Sequence, residues 1–437
     1  MSKPRFVISS PFDTYSGYGA RSRDIIKAMI ATGKYKVELL SQKWGETSWG
    51  FCGDHPDWRF LLNHLATPDW QKSKPDLWMQ ITIPNEFQPV GKYSIGLTAG
   101  IEATACKAEW IQGLNRMDLN LVSSEHSKQV ALNTAFDKID KNTNQKVGIV
   151  KIEKPLDVLF EGLDLDKYYK KPQKSNILDG VEEEFCFLYT GHWLPGVFGE
   201  DRKDTATLIK TFLETFNTPS NKKPALVLKC NQVNYSLLDR EVIIKQINRL
   251  KNQVKGKLPN IYLLHGEMTD EEMNQLNNNP KIKAFVSFTK GEGYGRPLAE
   301  AAITGKPVIV SNWSGHTDFI KPEYNVLIGG ELQQVHASAA NQFLLKDSQW
   351  FKINTDIASR AMKDVFKNYK KYLEASRKQT QYLKNNWSFD KMCEKLNNIL
   401  PKINAAPQTQ QLQLPKLKKV GAAEQKIELP KLKKIEV

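Results

Sequence analysis

Residues 284 to 318 read AFVSFTKGEGYGRPLAEAAITGKPVIVSNWSGHTD. The run 284–289 is short, apolar and rich in β-branched and aromatic residues, as a buried parallel strand should be, and 307–311 repeats that character one helix later. Gly291, Gly293 and Gly295 leave the intervening loop backbone bare. Pro297 suits the first helical position, and Gly305 suits the position just past the helix end. The stretch therefore predicts strand, loop, helix, strand. A glycine loop running into a helix start points free N–H groups and the positive end of the helix dipole at one spot, which attracts an anion, most often a phosphate. Glu292 on the loop and Glu300 in the first helical turn are expected to face the same crevice. Carboxylates beside a phosphate site make sense as acceptors for hydroxyls, one for a ribose and one for a sugar.

The segment 291–309 is similar to the E-x7-E segment of retaining GT-B glycosyltransferases, family 4 in particular, in its two acids, three glycines, proline and following Gly-Lys-Pro-Val-Ile. A plainer reading is an ordinary βαβ unit with a glycine-rich turn. The resemblance implies an α/β protein of two Rossmann-like, doubly wound domains facing a cleft. It also implies sugar transfer from a nucleotide diphosphate donor to a hydroxyl, with retained configuration and no metal or cofactor requirement. On it, Glu292 would hold the sugar hydroxyls and Glu300 the ribose, while the amides near Gly293, Tyr294, Gly295 and Arg296 receive the diphosphate.

The chain has 437 residues, enough for about two domains of ~100–200 residues each. It lacks an apolar run long enough for a membrane span, and its N-terminus enters a strand without a signal-peptide core, so a cytoplasmic protein is expected. Five scattered cysteines without a C-x-x-C pair suggest neither a disulfide framework nor a zinc site. The formal net charge of +14 includes eight Lys against three Glu in residues 401–437. A basic balance favours anionic partners: a nucleotide sugar, a polyanionic acceptor, nucleic acid or an anionic membrane surface. A solvated lysine-rich surface is the plainer account.

From the start of the chain, strand 5–9 leads through Gly17-Tyr18-Gly19 into a helix expected over 21–31. Ser22 stands at the third glycine position and Ser41-Gln42 where a ribose-binding acid would sit, which argues against a dinucleotide. Under the resemblance, Gly17 and Gly19 face the donor diphosphate and the acceptor. Trp44, Trp49, Trp58, Trp70 and Trp78 could stack on sugars, although packing is the commoner role. On the acceptor side, Glu102 and His126 are the candidate polar groups; a helix-terminal acid and a surface histidine are their plainer readings.

Glu161-Gly-Leu-Asp resembles the Asn-Gly-Val-Asp that closes the family's first domain. In the family an Arg follows the glycine after the next domain's first strand and a Lys opens the following helix, together neutralising the diphosphate. Lys203 matches the Lys. His192 occupies the Arg position, and Arg202 is the residue that could replace the missing charge. The expected organisation is a first domain over 1–165, a linker over 166–184, a donor domain over 185–385, a helix crossing back over 386–400 and a basic tail over 401–437. The tail repeats Leu-Pro-Lys-Leu-Lys-Lys at 414–419 and 429–434; it is expected to be disordered and could dock a protein partner twice. Two other readings are a transferase acting on a hydroxylated DNA base, suggested by charge alone, and a scaffold protein with a weak or inactive transferase fold recruited through its tail.

Overall fold

Strand β1 (Arg5–Ser10) is buried from its second residue onward without alternation, the pattern of a parallel strand covered on both faces. It is followed by α1 (Gly17–Ala31), β2 (Lys36–Ser41), the short α2 (Phe51–Asp54), β3 (Leu77–Ile81), β4 (Tyr93–Thr98), α3 (Ala108–Leu114), β5 (Leu119–Val122) and α4 (Glu125–Asn133). An antiparallel ribbon of β6 (Phe136–Ile139) and β7 (Lys146–Val150) precedes β8 (Leu156–Val158). The sheet order is β2-β1-β3-β4-β5-β8, and all its pairs are parallel. These elements belong to a computed structural model that describes residues 3–140, 142–171, 175–194, 196–220, 222–340 and 344–401. The repeated motifs at 414–419 and 429–434 lie outside the described residues.

The second sheet is built from β9 (Cys186–His192), α5 (Thr205–Thr215), β10 (Ala225–Asn231), α6 (Leu237–Lys251), β11 (Ile261–Leu264), α7 (Asp270–Asn278), β12 (Ile282–Ser287), α8 (Arg296–Ile303), β13 (Val308–Ser311) and β14 (Val326–Ile328). Its order is β11-β10-β9-β12-β13-β14, again all parallel. Strand order reverses between β9 and β12, which places a crevice beyond their carboxyl ends. Thr269 and Glu272 form a reciprocal capping box at the start of α7.

Two segments join the lobes. The hairpin β15 (Gly330–Gln334) and β16 (Gln349–Ile353) carries Trp350, fully buried, into the apolar cluster of Trp110, Ile111 and Leu114 in the first lobe. Thr104 and Gln349 seal this contact: the Thr104 N–H donates to the Gln349 carbonyl and the Gln349 N–H to Thr104 Oγ1, each at 2.8 Å. Helices α9 (Thr355–Lys367) and α10 (Tyr369–Asn386) then lead to α11 (Phe389–Ile399), which returns to the first lobe. There the Leu163 N–H donates to the Trp387 carbonyl at 2.9 Å and the Phe389 N–H to the Leu163 carbonyl at 2.7 Å. A Cβ on Gly162 would lie 2.7 Å from Phe389 Cα, so this approach needs glycine. Among the described residues no helix is long and apolar enough to cross a membrane.

Three local expectations are corrected. Helix α1 begins at Gly17 rather than Arg21, so Gly17 and Gly19 lie in its first turn, where Ser16 Oγ accepts from the Gly19 N–H at 2.9 Å. Glu300 is the fifth residue of α8 and stands in its second turn, not its first. The strand that the apolar run 185–190 predicts, β9, continues through Gly191 to His192, because pairing with β10 persists to Asn231.

Candidate active site

The crevice beyond β9 and β12 is lined by His192 and the segment 201–204, the glycine loop 288–295 and the turn 312–318. Gly295 enters α8 with φ +100°, a left-handed conformation that favours glycine. Gly291 and Gly293 serve a different purpose: a Cβ would lie 2.4 Å from the Glu102 carbonyl oxygen at the first and 2.6 Å from that of Ala99 at the second. Their bareness lets the first lobe's loop press against the second lobe's.

Glu292 sits at the centre. Its Oε1 accepts from Lys203 Nζ at 2.5 Å and its Oε2 lies 3.3 Å from Arg202 Nη1. Arg202 also donates to the Gly291 carbonyl at 2.8 Å and lies 3.5 Å from Glu102 Oε1 across the cleft. Burial by itself would raise the Glu292 pKa, but the adjacent Lys203 and Arg202 hold it down at about 2. Burial lowers Lys203, with Glu292 opposing that shift. Two carboxylates and two cations thus interlock in a desolvated pocket.

The cationic loop is fastened from below. Asp201 Oδ1 accepts from the N–H groups of Lys203 and Asp204, each at 3.0 Å. The Arg202 carbonyl accepts from the Lys290 N–H at 2.8 Å, and the fully buried Lys290 ammonium donates to the Gly199 carbonyl. Ser314, at φ +81°, accepts from the Glu292 N–H at 2.9 Å. Sequence reasoning missed Asp201, Lys290 and Ser314, since each acts through a backbone geometry that residue type does not announce.

Glu300 has the opposite environment. It lies 3.2 Å from Arg296 Nε, and burial, then Asp270, push its pKa up to about 7 against the pull of Arg296. Arg296 is committed to carboxylates: Asp24 at 2.8 Å and Glu161 at 3.7 Å, besides Glu300. The Tyr294 ring is buried against Phe319, with centroids 4.6 Å apart, which leaves the backbone as the part of Tyr294 able to meet a ligand. His192 reaches solvent in the cleft. Desolvation there, then Lys203, Arg202 and Lys229, pushes its pKa down to about 4, so it is neutral at pH 7.

On the first lobe, a Cβ on Gly19 would lie 2.4 Å from the Thr14 carbonyl oxygen, whereas one on Gly17 would meet nothing. Trp44 stacks on Tyr18 at 4.0 Å, whose hydroxyl receives the Ala99 N–H at 3.0 Å. His126 packs edge-on against Trp313 at 4.6 Å with Nε2 unpaired, and burial, then His316, pushes it to about 4. Asp318 accepts from the Glu125 N–H at 2.8 Å, capping α4 from the other lobe. Trp58 and Trp78 are buried, while Trp49 is exposed.

Similar architecture recurs in solved structures. HepE of Anabaena, in complex with UDP and glucose, superposes with a TM-score of 0.57 at 12% identity over 90% of this chain and 98% of its own. Sucrose-phosphate synthase from Thermosynechococcus elongatus gives 0.56 at 11% identity over 91% and 98%. A glycosyltransferase from Rickettsia africae gives 0.56 at 12% over 91% and 98%. The fold is GT-B. No family model and no curated protein sequence matches the chain. Within the GT-B cleft, then, the structure brings Arg202, Lys203, Glu292 and Glu102 into one cluster. Glu300 and Arg296 form a second with Asp24 and Glu161, and His126 stands apart against Trp313. Among the described residues no group of three or more His, Cys, Asp or Glu is placed to hold a metal ion.

Proposed function

We propose that this chain is a retaining glycosyltransferase, similar to family 4, that moves a sugar from a nucleoside-diphosphate donor to a hydroxyl acceptor. The observation that carries this reading is the ionised Glu292 carboxylate held between Lys203 and Arg202 at the switch point of the second sheet. Breaking the glycosidic bond to the donor leaves negative charge on the departing diphosphate. Lys203, Arg202 and the amides at the start of α8 are the groups that stabilise it in a water-poor site. Glu292, kept ionised, accepts from the sugar hydroxyls, and Glu300 accepts from the ribose. The acceptor enters from the Glu102 side, and the Trp44–Tyr18 stack offers it an aromatic face.

The test is turnover of a panel of nucleotide sugars with small alcohol acceptors. The anomeric configuration of the product is read by NMR, and Lys203→Met is run in parallel. Retained configuration is expected, with kcat lowered ~10²–10³-fold in the variant, the scale for losing one stabilising donor. Inverted product, or a variant as fast as the parent, would refute the reading.

His192 gives a pH signature. Its depressed pKa reflects desolvation, then the nearby cations Lys203, Arg202 and Lys229, and a bound diphosphate would offset their field and raise it toward its ordinary ~6.5. Donor binding then takes up a proton. Affinity is expected to be level above about pH 7 and to rise as pH falls from about 6.5 toward 4, by up to ~10-fold per unit. Calorimetric titration across that range should show the rise, and His192→Gln should flatten it.

A further inference from the structure

The strands of the second sheet end at the cleft; their beginnings lie at the opposite edge of the lobe. There, where β12 and β13 start, an open pocket of about 240 Å³ is lined by Lys170, Lys283, Lys306, Gly305 and Tyr369. Gly305, at φ +81°, ends α8, and the Lys170 ammonium lies 3.3 Å from where its Cβ would stand. Lys306 Nζ donates to the carbonyls of Asn279 at 3.2 Å and Ile282 at 2.6 Å, which holds it at the pocket floor. Lys283 lies over the Tyr369 ring, 5.8 Å from its centroid. Arg377 and Lys384 on α10 add their field to that of Lys170.

This cluster differs from the cations of the cleft. Arg202, Lys203 and Arg296 each face a carboxylate within 4 Å. None of Lys170, Lys283, Lys306, Arg377 and Lys384 does so among the described residues. Burial, then Lys283 and Lys170, holds Lys306 down to about 7, and burial, then Arg377 and Lys384, lowers Lys170. Gathering like charges around a concave surface costs stability unless a counter-charge arrives. Among the described residues no side-chain carboxylate supplies it within ion-pair distance.

We propose that the pocket formed by Lys170, Lys283 and Lys306 binds a phosphate-bearing anion at a site separate from the donor cleft. Lysine ammonium groups are compact point charges suited to phosphate without a fixed fork geometry. The cavity has room for a diphosphate. The same chemistry could come from a free phosphate compound or from the headgroups of an anionic membrane, and the test separates these sources.

The full chain and Lys170→Gln/Lys283→Gln are titrated with pyrophosphate by calorimetry. Both are also floated with phosphatidylcholine vesicles with and without phosphatidylglycerol. Lys306 is left in place because it supports the carbonyls of Asn279 and Ile282. Wild type is expected to show a pyrophosphate site that the double variant loses or weakens by about tenfold or more, while pyrophosphate at the cleft is unaffected. Without ligand the variant should melt no lower than wild type, since it relieves repulsion. Loss of flotation on anionic vesicles with unchanged pyrophosphate binding would support the pocket and assign it to a lipid surface. Identical titrations and identical flotation for the two proteins would overturn the proposal. So would an equal loss of both with Lys203→Met, which would place the binding in the cleft.

Discussion

Glu292→Gln is expected to lower kcat by about 10²-fold or more and, separately, to destabilise the protein by about 3 kcal/mol at pH 7. The stability effect comes from the Lys203 and Arg202 pairings, which hold the folded pKa at about 2 against an ordinary 4.5. A depressed carboxylate pKa means that the unfolded chain binds the proton first. Its contribution is complete above pH 4.5 and disappears as pH falls toward 2. Wild type should therefore lose about 3 kcal/mol through that window from this group, and the variant should show a shallower acid limb, its remaining slope set by the other depressed carboxylates, among them Asp76, Asp239 and Asp270. Removing one member of a buried ion cluster also leaves the remaining cations poorly compensated, which adds to the loss. Denaturant melts at pH 3, 5 and 7, with kcat measured alongside, test both parts. A variant with wild-type turnover and an unchanged acid limb would show that Glu292 neither holds the sugar nor stabilises the fold.

Glu300→Gln should do the reverse to stability. Burial and Asp270 raise the folded Glu300 pKa from an ordinary 4.5 to about 7, so the folded chain holds a proton that the unfolded chain releases. Stability then falls as pH rises from 4.5 to 7, by about 3 kcal/mol, and stays low above it. Gln carries no such cost, so the variant is expected to melt higher than wild type at pH 8. Its donor affinity should fall by ~10–100-fold, the scale of one charged hydrogen bond to a ribose hydroxyl. A variant that is more stable and binds more weakly is the signature of a group kept for function. A variant that melts lower at pH 8 would mean that Arg296 depends on this carboxylate more than burial penalises it.

The fold was legible where the signal was local. The stretch 284–311 alternates buried strand, bare loop, proline-started helix and buried strand, and these features are set within a few residues of one another. The capping box at Thr269 and Glu272 is readable for the same reason. Contacts between distant segments were less legible. Nothing around Trp350 announces that the hairpin at 330–353 inserts into the first lobe's core, because its partners Trp110 and Leu114 lie more than two hundred residues away.

The candidate site shows the same division. The types and order of Arg202, Lys203, Glu292 and Glu300 were visible, whereas their partners were not. Two acids with seven residues between them look equivalent in sequence, yet one faces two cations and the other shares Arg296 with Asp24 and Glu161. Gly291 and Gly293 read as a phosphate cradle; in the structure a side chain at either would strike the backbone of Ala99 or Glu102. The glycines therefore also serve the contact between lobes, a role that only the folded chain displays. Residues 402–437, with their repeated motif, lie outside the described residues.

Binding of a nucleotide sugar in the cleft through the second lobe is read by thermal melting of the purified chain with UDP-, GDP-, ADP- and dTDP-sugars. One of them is expected to stabilise the protein, by about 2.7 kcal/mol at a hundred times its Kd, and Glu300→Ala to remove the effect. If no nucleotide sugar shifts the midpoint, the donor site is contradicted, and a GT-B scaffold without transferase activity becomes the reading to pursue.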